Sequence, residues 1–400
     1  MTERLQLRVG AVAHGGHCVA RHEGRVVFVR HAIPGELVTA DITDGGESSA
    51  YWRAEAVEIH EPSPHRVASA WPEAGPHGVG GGELAHVSLP AQRKWKKAVI
   101  VDAFERFANS EFLGEVAAAP GDDSRGGLGY RTRVQAVANA RNKASMHLHR
   151  SRELRALEEM PLATPEVERA LLARSFPKGA AITIVEPSAG EEPRAFVNGA
   201  AWGATGPDRR PNAPTHVREV VHWAGKDFEY RVAATGFWQV HREAASVLLA
   251  EVMAQMGDAA RVLDLYAGSG LFTLPLAATG REVTSVESAP DAAKGARRNL
   301  HAYPNATVVH GDVRQYLRLH RTPCDAALLD PPRSGAGRST LEALAAVSPQ
   351  RVVYVACDPV ALARDVAHLR DLGYDLTHAS AHDLFPMTHH VEAIATFDRR

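Results

Sequence analysis

The chain is expected to be an α/β protein: a doubly wound, mostly parallel sheet preceded by a small β-barrel and a central α/β region. Three observations carry this expectation. From residue 236 onward, short apolar strands alternate with amphipathic helical segments, the rhythm of a sheet covered by helices on both faces. One strand–helix joint there, residues 261–277 (RVLDLYAGSGLFTLPLA), carries a tight glycine turn. Residues 1–60 instead alternate apolar and polar positions between Gly and Pro punctuation, as several short strands of a barrel do.

Composition sets the outer bounds. A length of 400 residues implies two or three domains, and 45% hydrophobic with 23% charged residues describes a globular protein. No apolar run approaches the length of a membrane helix. The start, MTERLQLRVG, has no signal-peptide pattern, so a cytoplasmic location is expected. The three cysteines, Cys18, Cys324 and Cys357, are too few and too scattered for a disulfide framework or a four-cysteine metal site. A formal net charge of −2 does not mark the whole molecule as a nucleic-acid binder, although basic charge can be local.

In chain order, Leu5, Leu7 and Val9 form one alternating run, Val26, Phe28 and Ile33 belong to a second, and residues 36–42 form a third. Pro62 and Pro64 close this unit, and the turn-rich PEAGPHGVGGGELAH follows. Residues 91–112 read as a helix, with Trp95, Val99, Ala103, Phe104 and Phe107 on a broad apolar face and Lys94, Lys96 and Lys97 near its start. Residues 114–128 read as a polar, glycine-rich loop. Between 129 and 235 the pattern is mixed α/β. TRVQAVANA and AITIVE alternate as strands, and Thr164-Pro165 forms a cap and first turn for a helix. Arg125, Arg131, Arg133, Arg141, Arg150, Arg152 and Arg155 make this the most arginine-rich sector, which reads equally as a solvated face or a phosphate-binding one. Ala245, Leu248, Leu249, Val252, Met253 and Met256 then mark an amphipathic helix. After it come the strands RVLDLY, EVTSVE, ATVVH, CDAALLD, RVVYVAC and VEAIATF.

The glycine turn points to a ligand. Leu263 and Leu265 flank Asp264 near the end of a buried strand; Gly268 and Gly270 permit a sharp turn and close backbone approach. Thr273 stands where a third glycine would complete a dinucleotide fingerprint, and Glu287 closes the next strand, where an acid can bind ribose hydroxyls. A turn that does not cup pyrophosphate, followed by that acid, suits an adenosyl ligand such as S-adenosylmethionine. In sheets of this kind ligands sit at the carboxyl ends of the strands. Asp264, Glu287, Asp312, Asp330 and Cys357 all fall at or near such ends. A thiol at that place opens onto the cofactor cleft, whereas Cys18 and Cys324 read as inert buried cysteines. Glu392 opens an otherwise apolar strand, a costly place for a carboxylate unless it is paired or used. His389 and His390 precede it, but no matching third ligand is evident and no metal is expected.

Five motifs occur in order: G-F-W-Q-V at 236–240, D-L-Y-A-G-S-G at 264–270, D-P-P-R-S-G at 330–335, A-C-D-P-x-x-L-A-R-D at 356–365, and F-P-M-T-H-H-V-E at 385–392. With them the chain resembles the RNA 5-methyluridine (uracil-C5) methyltransferase family over nearly its whole length. The first sixty residues, with G-x(4)-G-G-x-C-V-A-R and I-P-G-E-L-V, resemble a TRAM domain, an OB-like RNA-binding barrel. The resemblance implies a class I S-adenosylmethionine-dependent methyltransferase fold, with Cys357 as nucleophile and Glu392 as general base. It implies cofactor contacts from Gln239, Tyr266, Glu287 and Asp330, to which the strand-end and turn positions add Asp264, Gly268, Gly270 and Asp312. Phe237, Arg131 and Arg333 are expected to meet substrate. The expected partner is structured RNA, ribosomal before transfer RNA, and the expected state is a monomer. The helix at 91–112 is expected to pack on the catalytic domain. The domains are then 1–60; 61–90 with 114–235; and 91–113 with 236–400.

The chemistry explains these residue types. C5 of uracil is too weak a nucleophile to take a methyl group directly; thiolate addition to C6 makes it enolate-like. A carboxylate then removes the C5 proton, and elimination expels the thiol. A base reaching such a thiol must leave its stack. Three positions depart from the family pattern: Asp358 beside the nucleophile where Asn is usual, Met387 where Gln is common, and His241 where Asn is common. They bear on substrate contacts more than on the reaction class. Many members also bind an iron–sulfur cluster through a C-G-G-C run; here Val79 and Gly82 replace both cysteines, so no cluster is expected. The alternatives are a cytidine-C5 methyltransferase and a non-catalytic RNA-binding protein with a decayed site.

Overall fold

The structure is a computed structural model and describes residues 4–46, 48–204, 206–321 and 323–400. Its amino-terminal strands form one six-stranded sheet in the order Arg4–Arg8, Leu37–Asp44, Tyr51–Glu61, Arg25–Arg30, His17–His22 and Val12–Ala13. Register shifts along the pairing of Leu37–Asp44 with Tyr51–Glu61 bend these strands, as bulges do in small barrels. The inward residues Leu7, Val27, Val29, Val38 and Ala54 make a core that is shared with Leu84, Ala91 and Trp95. The barrel is thus plugged by residues that follow it in the chain.

A second sheet, entirely antiparallel, runs Leu154–Ala156, Ala144–His147, Arg133–Ala138, Ala181–Val185, Arg194–Val197 and Ala200–Trp202. Helix Pro165–Leu172 covers it, and Thr164 accepts the Val167 N–H as its cap (3.4 Å).

The largest sheet has eight strands in the order Ala306–His310, Glu282–Glu287, Arg261–Leu265, Ala326–Leu329, Arg351–Ala356, Glu392–Arg399, Tyr374–Asp383 and Val116–Ala118. The first five are parallel and Glu392–Arg399 is antiparallel to its neighbours. Strand residues alternate between two cores: Val262, Leu328 and Val353 face one, while Leu263, Leu329 and Tyr354 face the other. Chain order reverses between Arg261–Leu265 and Ala326–Leu329, which opens a crevice at the carboxyl ends of the strands.

Three local outcomes differ from the sequence reading. The helix begins at Leu89 and its regular part ends at Ala103; a wider turn, Phe104–Ala108, follows, and left-handed Asn109 (φ 44°) stops it before Phe112. Phe112 instead folds back edge-on against Phe104. Val116–Ala118 lies within the segment read as a loop of the central region, yet it pairs in parallel with residues 381–383 as the edge of the large sheet. Three residues are too few to show a two-residue period. The hairpin His216–Trp223 and Lys226–Ala233 turns through Ala224 and Gly225, both at positive φ, as a two-residue hairpin requires. Its inner residues Val217, Val221, Phe228, Tyr230 and Val232 share a core with Leu248, Leu249 and Val252 of helix Ala244–Gln255 and with Leu271 and Leu274 beyond the glycine turn. By packing, this hairpin goes with the large sheet.

Candidate active site

The glycine turn leaves strand Arg261–Leu265 at the switch point. Tyr266 takes a left-handed conformation (φ 63°), costly for a non-glycine residue, and its N–H donates to the Val286 carbonyl (3.0 Å). Gly268 is also left-handed (φ 56°), and a Cβ there would meet nothing within 4 Å, so the turn is open toward solvent. Glu287 fastens the turn: its two carboxylate oxygens accept from the N–H groups of Gly268 (2.9 Å) and Ala289 (2.6 Å). Oε1 also accepts the Ser288 hydroxyl (3.4 Å), while Oε2 keeps a second lone pair for a ribose hydroxyl. Asp264 is fully buried; one oxygen accepts from the Thr273 hydroxyl (2.5 Å), and the other has no partner among the described residues. Thr273 therefore has a reason to replace a third glycine. Burial first, opposed by the Thr273 hydrogen bonds and aided by Glu287, pushes the Asp264 carboxyl up to about 7. Asp330 is likewise raised to about 7, by burial and then by Asp264. Asp312 is exposed and caps helix Val313–Leu319 by accepting the Gln315 N–H (2.8 Å). An open left-handed turn, an orphaned buried carboxylate oxygen and strand-end acids fit an adenosyl ligand with hydroxyl and amine donors, as S-adenosylmethionine has.

Cys357 and Glu392 are brought together by register. Ala356 pairs with Ala393 across antiparallel strands, so Cys357, which follows the first, lies beside Glu392, which precedes the second. Glu392 is buried, at 6% exposure, and its carboxyl is held well above the usual range by burial and then by Asp330, against the pull of Arg333. A carboxylate so disposed is a strong base once ionised. The half-buried Cys357 thiol is pushed up to about 12, by burial first and then by Glu392, while Arg333 opposes. Arg333 is exposed and lines, with Pro331, Cys357 and Asp358, a small crevice against the nucleophile.

Two of the motifs are tied to each other by Asp365. Its carboxylate accepts from the Tyr354 hydroxyl (2.6 Å) and the Ala336 N–H (2.8 Å), which anchors the loop after Asp330 to the helix after Cys357. A Cβ at Gly335, itself at φ 82°, would stand 2.7 Å from that carboxylate, so the loop needs glycine there. The sequence reading gave Asp365 no role, although it closes the motif at 356–365; that membership was its signal.

The three departures from the family pattern have structural explanations. Asp358 caps helix Pro359–Asp371 through the Ala361 N–H (2.8 Å), and its other oxygen lies 3.2 Å from His14 Nε2 of the barrel. Both of its oxygens are thus engaged, and its charge adds only a minor part to the upward push on the Cys357 thiol, behind burial and Glu392. Met387 is buried at 4% exposure, with Gln92 Nε2 donating to its sulfur (3.2 Å). His241 is buried, stacks on Tyr130 and contacts Asp122 (3.0 Å). Met387 and His241 are therefore packed within the protein. Of the remaining expected residues, Phe237 is 76% exposed between Gly236 and the buried Trp238 and Gln239. Arg131 is half-buried beside Tyr130, whose hydroxyl donates to the Pro386 carbonyl (3.0 Å). The arginine-rich sector is divided. Arg133 is buried and donates to the Ala234 and Gly236 carbonyls, and Arg125 pairs with Asp122, whereas Arg141 and Arg152 are exposed.

An iron–sulfur cluster does not fit. Val79 is buried in the core, and a Cβ at Gly82 would meet Ala74 Cβ at 2.7 Å and the Trp71 ring at 3.0 Å. Trp71, fully buried, helps fill that space. Among the described residues no group of three or more His, Cys, Asp or Glu side chains could hold a metal ion, and no helix is long and apolar enough to cross a membrane.

Comparison with known proteins accords with this geometry. Residues 213–400 match the family described as tRNA (Uracil-5-)-methyltransferase, and residues 3–57 match the TRAM domain. An uncharacterized RNA methyltransferase of Bifidobacterium longum is 39% identical over 99% of this chain and 97% of its own length. The 23S rRNA (uracil(1939)-C(5))-methyltransferase RlmD of Shewanella baltica is 31% identical over 100% of this chain and 96% of its own. Among solved structures, the Pyrococcus abyssi tRNA (uracil-54, C5)-methyltransferase, in complex with S-adenosyl-L-homocysteine, shares the fold with a TM-score of 0.73, covering 98% of this chain and 100% of that one at 20% identity. The chain belongs to the RNA uracil-C5 methyltransferase family, and it transfers a methyl group from S-adenosylmethionine to C5 of uracil in structured RNA.

Proposed function

We propose that the substrate is a uridine of ribosomal RNA, and that Cys357 and Glu392 carry the reaction. The observation that carries the reading is the register that sets a thiol beside a buried carboxyl at the carboxyl edge of the sheet, the same edge that carries the open turn at Gly268. The full-length likeness to a protein named for 23S rRNA favours ribosomal over transfer RNA.

Bound S-adenosylmethionine would supply an electrophilic sulfonium methyl; Glu287, Asp264, Tyr266, Asp330, Gln239 and Asp312 would hold it. Cys357 sulfur, as thiolate, bonds to C6 of the flipped uracil, and the C5–C6 π electrons move to C5 and O4. After C5 is methylated, Glu392 takes the C5 proton; the C5–C6 double bond re-forms and the Cys357–C6 bond breaks with its electrons returning to sulfur. Arg333 faces the thiol and favours its ionised form. Phe237, exposed beside Gln239, offers an apolar face for a displaced base, and Arg131 a cation near the Pro386 loop. The protein acts as a monomer in the cytoplasm.

The test is nucleoside mapping of ribosomal and transfer RNA from a deletion strain, with re-methylation of that RNA by purified protein. One 5-methyluridine should vanish from ribosomal RNA and return on treatment; its loss from transfer RNA alone refutes the substrate. Cys357→Ala should abolish transfer while keeping S-adenosylmethionine binding. Glu392→Gln should accumulate a protein–RNA adduct that survives denaturing electrophoresis. Full turnover by either variant removes that residue from the mechanism.

A further inference from the structure

The edge of the central sheet, away from the nucleophile's strand, carries a cavity of about 450 Å³ that the methyl-transfer chemistry does not use. Its size is that of a small-molecule or single-nucleotide site. Trp202, the last residue of strand Ala200–Trp202, forms one wall, Pro193 and Pro214 contribute apolar surface, and Arg174, just past helix Pro165–Leu172, contributes a guanidinium.

The charge balance of this cavity is uneven. Three arginines, Arg174, Arg194 and Arg210, line it with a single carboxylate, Asp208. Arg210 is neutralised by Asp208 through two contacts (2.9 and 2.6 Å). Arg194 is paired with Glu191, which also takes Arg218 (3.0 Å). Arg174 has no acidic partner among the described residues, and its Nη1 is buried without a hydrogen bond. Burial alone lowers the affinity of this guanidinium for its proton, with no counter-charge acting on it. The Trp202 indole N–H is also buried without an acceptor. An arginine after a helix gains from the helix dipole, but that gain does not require a buried, unpaired N–H. Buried donors left unmade are costly, and two on residues that line one cavity call for an acceptor-rich, negatively charged ligand. A phosphodiester meets this description: it is acceptor-only, anionic, and matched to the arginine fork.

We propose that this cavity binds a phosphodiester of the substrate RNA strand, with the Arg174 guanidinium on the phosphate oxygens and Trp202 Nε1 donating to the same nucleotide. The site anchors the strand at a second point, remote in sequence from Cys357. The inference rests on the chain's acting on RNA and deepens it by naming one contact.

The test measures equilibrium binding of a fluorescein-labelled oligouridylate to the full-length protein across a salt series. Arg174→Gln should weaken binding about tenfold and reduce the slope of log K against log salt by about 0.7, the value of one single-strand phosphate contact. Trp202→Phe keeps an aromatic face but removes the indole N–H together with the pyrrole half of the ring; it should weaken binding about threefold to tenfold with the slope unchanged. S-adenosylhomocysteine affinity reports the folded state of each variant. Where Arg174→Gln loses it, Trp202→Phe decides. Unchanged oligouridylate affinity in the deciding variant means a water-filled crevice only and overturns the proposal. Adenosine monophosphate binding as tightly as the oligomer would assign the cavity to a free nucleotide and also overturn it. Methyl transfer to ribosomal RNA is assayed separately, so failure of the ribosomal reading leaves oligouridylate binding, and hence this inference, standing.

Discussion

Lys96→Met should be among the most damaging single substitutions outside the reacting groups. Lys96 projects from helix Leu89–Ala103 with its side chain at 0% exposure, and its Nζ meets Asp383 Oδ1 at 2.5 Å, the partner being 2% exposed. Nζ also donates to the Phe385 carbonyl (2.9 Å). Burial lowers the affinity of this amine for its proton, and Asp383 offsets that only in part. The intact pair contributes little net stability, because two desolvation costs offset the attraction. Removing one partner is different: Asp383 is left as an uncompensated buried charge, which costs about 3–5 kcal/mol. In a domain of this size that lowers the melting temperature by about 6–20 °C. The assay is calorimetry of Lys96→Met beside Lys96→Met/Asp383→Asn. The double variant should recover part of the loss, since a neutral amide is cheaper to bury than an unpaired carboxylate. A shift under about 2 °C, or a double variant less stable than the single one, would refute the argument from burial.

Other outcomes follow from the same geometry. In RNA-free protein at about pH 8, Cys357 should be alkylated by iodoacetamide about a thousandfold more slowly than an unperturbed cysteine, with the rate still rising as pH rises; mass spectrometry showing fast labelling would sink this. Asp358→Asn keeps the helix cap and should leave stability within about 0.5 kcal/mol of wild type, whereas Asp358→Ala should cost about 1 kcal/mol by urea titration. Burial would raise the Glu83 carboxyl, but His389, the Gly81 N–H and Arg30 outweigh it and hold its folded value below the usual 4.5. The stability it contributes is therefore present above about pH 4.5 and is lost as pH falls through the lowered value. The melting-temperature gap between wild type and Glu83→Gln should be constant above about pH 4.5 and narrow steadily as pH falls below it; a gap unchanged down to about pH 3 contradicts the linkage.

The parallel strands and the motif residues were legible because each is local. A strand buried on both faces is a continuous apolar run, and a turn that needs left-handed backbone shows its glycines. Val116–Ala118 was not legible, because its membership in the large sheet is decided by residues 381–383 and not by its own three residues. The hairpin at 216–233 was not picked out from the sequence, where it fell in a mixed α/β stretch assigned to the central region, and its core partners Leu248 and Leu271 are tertiary facts. That the two oxygens of Asp358 are taken by the Ala361 N–H and His14 is decided by the fold and has no sign in the sequence. Unspent donors such as Arg174 Nη1 have no signature in sequence at all, since what distinguishes them is the partner they lack among the described residues.

The helix beginning at Leu89 and the edge strand Val116–Ala118 are made long before the strands they cover. Lys96 and Asp383 are 287 residues apart, and Arg370 reaches the Ala108 carbonyl across 262. At ribosomal rates of about 5–20 residues per second, the early segment waits on the order of 15–60 s for its partners to emerge. During that interval Ile100, Phe104 and Phe112 have no sheet to cover. The nascent barrel, whose core already includes Ala91 and Trp95 of the same helix, holds one end of the segment folded meanwhile. The amino-terminal domain therefore serves as a tether during synthesis. A chain with the barrel deleted should aggregate as it is made, even where the finished catalytic sheet would be stable.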